Sequence, residues 1–233
     1  MKLIAPELGR VVVLFPGEDI RPLHGLHPPD VFTKIRARYG FQYTPDMTQS
    51  WEQVQKDGFK FQLGKFPFGD TSAPIREFAI YNDGVVATAL STEIAEAFLQ
   101  DAFSWAKESL KLSELSRPAR TIYVSNVIVE LEGSIDDAII GLEAVSQQLN
   151  DMLKSYYGVE APVHLTSLTF QYDLMRVPQW QNMVPFSITR RVGHPFEHKR
   201  YFSEAPLKSL DHIEFLKTFE NKSTLQRGSH VGS

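Results

Sequence analysis

Apolar and polar residues recur along this chain in two rhythms, one close to every second residue and one close to every third or fourth, and each switch of rhythm marks an element. Gly9 to Phe15 reads as a buried strand because Val11, Val12 and Val13 are β-branched, and Pro16-Gly17 ends it. Pro28, Pro29 and Asp30 open a short basic helix with Phe32, Ile35 and Tyr39 on one face and Gly40 as its stop. After the Asp57-Gly58 turn, Phe59, Phe61 and Leu63 alternate with Lys60 and Gln62 as a half-buried strand requires. Ile75 to Tyr81 and Val85 to Leu90 flank Asn82-Asp83-Gly84, a hairpin turn. Thr92 then caps a helix in which Ile94, Phe98, Ala102 and Trp105 recur on one face.

The polar stretch Ser113 to Arg120 reads as a linker, after which the same order begins again. Thr121 to Leu131 is a long strand. The strongest helical stripe follows: Ile135, Ile139, Leu142, Val145, Leu149, Leu153 and Tyr156, ended by Gly158. It predicts one long helix at the centre of the core, where replacing Leu142 or Leu149 by alanine would cost about 2 to 5 kcal/mol. Val163 to Tyr172 supplies another strand. Phe186 to Val192 and Lys199 to Phe202 bracket a second hairpin, and Pro206 opens a last helix carrying Leu207, Leu210, Ile213 and Leu216.

Strand, helix, three strands, helix, twice over, predicts an α+β fold: two β-α-β-β-β-α pseudo-repeats forming a largely antiparallel curved sheet with helices on one face. The halves are 1–112 and 119–220, with 221–233 as a flexible C-terminal tail. This element order resembles the duplicated saddle of the TATA-binding-protein-like folds. The resemblance implies architecture alone, and no residue role is carried over from it.

Composition narrows the chemistry. The 233 residues are 42% hydrophobic, enough for a substantial core, and a net charge of −4 provides no global field for a phosphate backbone. The absence of cysteine excludes disulfides, thiolate nucleophiles and Cys-ligated metal sites. No segment approaches the roughly 18 apolar residues of a membrane helix, and Val11 to Phe15 is too short for a signal peptide, so the expectation is a cytoplasmic protein with no membrane partner.

His194-Pro195-Phe196-Glu197-His198 matches H-x-x-E-H, in which a helix presents two histidines to a metal and the glutamate acts as base. Gly193 and Pro195 oppose such a helix, so a metal site at His194, Glu197 and His198, with His24 or His27 as a further ligand, is the alternative rather than the leading reading. Arg190, Arg191, Lys199 and Arg200, beside Tyr201 and Phe202, are the most basic spot and suit an anion or a nucleic acid, or else blunt an edge hairpin. Asp136 and Asp137 read as first-turn charges of the long helix. Trp180, in a polar loop, reads as an interface anchor. Phosphate-loop, dinucleotide and nucleophile-elbow signatures are absent, and no cofactor is implied. The leading expectation is a non-catalytic binding or assembly protein acting through protein contacts or self-association.

Overall fold

The computed structural model describes residues 1–16, 28–46, 48, 51–112, 119–139, 141–158, 162–176 and 183–228. Its strands are β1 (Lys2–Leu14), β2 (Phe59–Phe68), β3 (Thr71–Tyr81), β4 (Gly84–Ala89), β5 (Arg120–Glu130), β6 (Ser167–Phe170), β7 (Phe186–Arg190) and β8 (Arg200–Ala205). They form one curved sheet in the order β2-β3-β4-β1-β5-β8-β7-β6, every neighbouring pair antiparallel. The expected antiparallel α+β architecture is therefore present. The two halves meet along β1 and β5, whose register runs from Lys2↔Glu130 to Leu14↔Arg120. Outward from that seam the first half reads β1-β4-β3-β2 and the second β5-β8-β7-β6. This strand order does not confirm either the duplication or the TATA-binding-protein-like likeness.

The helices are α1 (Pro28–Tyr39), α2 (Trp51–Asp57), α3 (Thr92–Leu110), α4 (Leu142–Tyr157) and α5 (Ser209–Gly228). Directly opposed residues of an antiparallel pair project to one face, so the pair Gly9↔Ser125 shows where α3 and α5 lie. A Cβ on Gly9 would come within 2.0 Å of the Ser91 carbonyl carbon, so the missing side chain is what lets the start of α3 rest on β1. Ser125 Oγ meets His212 of α5 at 3.1 Å. Both helices thus cover the same face. Their first turns cap each other: the Thr92 N–H donates to Ser209 Oγ at 3.0 Å, and the Ser209 N–H to Thr92 Oγ1 at 2.7 Å. The N-cap of α3 is Ser91, which accepts from the Ile94 N–H, and not Thr92 as the sequence suggests.

Two apolar clusters fill the space beneath the helices. In the first half Phe41, Phe61, Phe78 and Phe98 interlock, Phe98 lying 5.2 Å from Phe78 and 4.8 Å from Tyr39 between ring centroids. Tilted and edge-on pairs of this kind add about 0.5 to 1.5 kcal/mol each beyond area burial. In the second half Val127, Val129, Ile135, Ile188, Tyr201 and Leu216 close a smaller cluster under α5.

The long helix expected from Ile135 does not form as one piece. Ile135–Ala138 is a 3₁₀ turn closed by a capping box between Ser134 and Asp137, Ile139 is extended, and Gly141 at φ +82° redirects the chain into α4. Ile135 is fully buried, whereas no residue of α4 is. The reading of this helix as the centre of the core is corrected: α5 and the 3₁₀ turn occupy that place, and α4 touches the body chiefly through the turn. Helix α5 continues past Glu220 to Gly228, within the stretch expected to be tail; residues 229–233 and the 113–118 part of the linker lie outside the described residues. No described helix is long and apolar enough to cross a membrane.

Candidate functional site

Where α4 stands off from the body, a groove of about 860 Å³ opens between it, the 3₁₀ turn, the extended segment 163–165 and the tip of the β7–β8 hairpin. Its wall is a ladder of stacked groups. The Arg190 guanidinium sits 3.2 Å from the Phe196 ring centroid, Phe196 stacks on His164 at 4.5 Å, and His164 Nδ1 lies 3.2 Å from Asp136 Oδ2. Asp136 Oδ1 also accepts the Leu165 N–H at 2.6 Å. The paired acids read as first-turn charges therefore do different work: Asp137 closes the capping box, and Asp136 straps segment 164–165 to the turn. Nothing in the sequence signals the Asp136–His164 contact, because the partners are remote in the chain and sit in no motif.

The basic spot of the second hairpin is already engaged. Arg190 Nη2 donates to the His194 carbonyl at 2.6 Å, and Arg191 Nη1 to Glu7 Oε1 at 2.8 Å. Arg200 pairs with Glu130, and Lys199 Nζ donates to the Glu132 carbonyl. The Arg200 hydrogen bond holds the Glu130 carboxyl below its ordinary range. Tyr201 is only 3% exposed and receives the Ile135 N–H on its hydroxyl, so it forms the groove floor rather than a surface on which a base could stack. Among the described residues, this hairpin offers no cluster of unpaired cations. Trp180 lies outside the described residues.

The H-x-x-E-H run is also placed. Phe196–His198 is a single 3₁₀ turn ended by Lys199 at φ +45°, not the helix that would bring both imidazoles to one metal. The His194 and His198 ring centroids are 6.5 Å apart. Partial burial and the neighbouring cations Arg200 and Arg191 hold His194 below its ordinary pKa. Among the described residues no three His, Asp or Glu side chains are grouped to hold a metal ion; His24 and His27 lie outside them.

One histidine that no motif marks is fully buried. His212 Nε2 is 2.9 Å from Ser203 Oγ, which donates on to the Ser187 carbonyl at 2.7 Å. Burial pushes the His212 pKa down to about 4. A serine beside a histidine can act as a nucleophile, but both groups are fully buried and the other ring nitrogen faces Ser125, not a carboxylate. The network is structural: it satisfies polar groups between α5, β5, β7 and β8.

The remaining feature is the outer face of α4. Val145 is 60% exposed, Leu149 43%, Met152 45% and Tyr156 69%, all on one side of the helix, with Tyr157 beside them. The sequence shows this stripe clearly but gives no sign that its outer part faces solvent. Compared with protein-family models, curated proteins and solved structures, the chain finds no match.

Proposed function

We propose that this is a non-catalytic, cytoplasmic binding or assembly protein that works through protein–protein contacts. The observation that supports this reading is α4, a sixteen-residue helix without a buried side chain that holds four large apolar residues toward solvent on one stripe. A helix of that length is marginal in water and draws its stability from packing an apolar face. Burying a side chain such as Leu149 or Met152 is worth about 1.5 to 3 kcal/mol, and contiguous exposed apolar surface of this kind marks interaction sites. Neither the H-x-x-E-H run nor the paired cations of the hairpin offers a comparable unsatisfied surface.

A photoreactive amino acid placed at Val145 in living cells tests the reading. Covalent adducts with protein are expected, and they should vanish when Leu149→Glu is added; a probe at the exposed Lys65 on β2 is the control. If Val145 yields no more adduct than Lys65, this face has no protein partner and the reading fails.

A further inference from the structure

The apolar residues of α4 are more ordered than a patch. Leu142, Val145, Leu149, Met152 and Tyr156 are spaced by three, four, three and four residues, the repeat of a coiled-coil seam. Leu142 is half-buried against the body, and the next four are open to solvent. The positions flanking the seam are Ser146 and Leu153 on one side and Gln148 and Ser155 on the other, and none is charged. The charged residues Glu143, Asp151 and Lys154 all lie away from it.

These flanks bear on what covers the seam. Heterotypic helix pairs are selected by opposite charges at the flanking positions, and α4 offers none. In a two-fold antiparallel pair of this register Ser146 faces Leu153 of the second copy and Gln148 faces its Ser155, so like charges at either pair would repel across the axis. Uncharged flanks remove that penalty. Glu143 in the first turn and Lys154 in the last point away from the seam and make no contact across it, so they bear on the direction of pairing only at long range. Antiparallel pairing sets acidic end beside basic end and opposes the helix dipoles.

Resting on the protein-contact reading above, we infer that α4 packs antiparallel against α4 of a second copy of this chain. Seam residues then meet reciprocally: Val145 lies against Tyr156 of the second copy, and Leu149 against its Met152. The smallest seam residue faces the largest. Met152 supplies an adaptable thioether at the centre.

Sedimentation equilibrium over a range of protein concentrations reads the pairing directly. Dimers are expected, and Leu149→Glu or Met152→Glu should weaken them by at least ~30-fold, the effect of losing a central interface anchor. Both positions are exposed in the single chain, so a retained cooperative thermal unfolding transition is expected and confirms that the body of each variant folds, whether or not the unpaired α4 frays. Because the natural sequence contains no cysteine, introduced thiols report orientation. An equimolar mixture of Leu149→Cys and Met152→Cys chains should form the mixed disulfide faster than either variant forms its own. A chain that stays monomeric at every concentration overturns the inference, as does a dimer indifferent to Leu149→Glu or one joined fastest through Leu149→Cys alone. A monomer whose Val145 probe still captures a protein would sink self-pairing and leave the protein-contact reading standing; a monomer with no adduct would sink both.

Discussion

Helices α3 and α4 differ less in their apolar pattern than in what lies beneath them. The face of α3 settles over β1 and β4, where Ala87 and Ala89 leave room and Phe78 supplies a partner, so Ala95, Phe98 and Leu99 are all buried. Over the second half the corresponding floor of Val127, Ile188 and Tyr201 is already covered by Leu216 of α5 and by Ile135 of the 3₁₀ turn. Helix α4 comes to a sheet that is full and remains outside. An apolar stripe is thus a capacity for burial, and the vacant surface available to it decides whether that capacity is used within the chain.

The largest effect that sharpens this contrast is expected at Phe98. It is fully buried among Tyr39, Phe41, Phe66 and Phe78, so Phe98→Ala should cost about 3 to 5 kcal/mol through lost transfer energy plus the cavity left behind, read from urea denaturation. A cost near zero would mean that the aromatic cluster is not the core of the first half.

The second half should reveal its own core through acid. His212 is held neutral by burial with a pKa of about 4 against an ordinary 6.5, so the unfolded chain binds the extra proton first as pH falls. Its contribution is complete above about pH 6.5, declines between 6.5 and 4, and levels off below, for a total on the order of 3 kcal/mol at most. Urea midpoints measured across that window should fall more steeply for the natural chain than for His212→Gln. Parallel pH profiles would show that the imidazole is not buried as described.

The smallest effect belongs to α4. In dilute protein, where chains are single, Leu149→Ala should change stability by no more than about 0.5 kcal/mol, the range of surface substitutions, and not by the 2 to 5 kcal/mol that the stripe alone suggests. A large loss in dilute thermal melts would return α4 to the core and erase its contrast with α3.

Elements whose determinants are local were legible in the residues. The strand at Val11 to Val13, the Asn82-Asp83-Gly84 hairpin and the Gly158 stop of α4 stand where pattern and turn chemistry put them, whereas the α3 face is turned toward Ala95 and Leu99, sharing Phe98 and leaving Ile94, Ala102 and Trp105 half-buried. The antiparallel α+β class stands as expected. The missed break at Gly141 is instructive, because Ile135 to Tyr156 keeps a helical period through it; only a capping box to Asp137 and a positive φ at Gly141 divide it. The candidate site was less legible still. Arg190, Glu197 and Lys199 stood out as charges, but their placement on one groove with Asp136, His164 and Tyr201 depends on strands and turns remote in sequence.

The sequence by itself determined most of the strands and helices, the short α2 and the break at Gly141 excepted, and which residues are apolar on them, because φ, ψ and side-chain direction follow largely from neighbours a few residues away. Tertiary structure alone decided which apolar faces are spent inside the chain. It seated Ile135 and Leu216 in the core and left Val145, Leu149, Met152 and Tyr156 outside, because a finite sheet face accommodates only so many helices and the order of packing is written in no single segment.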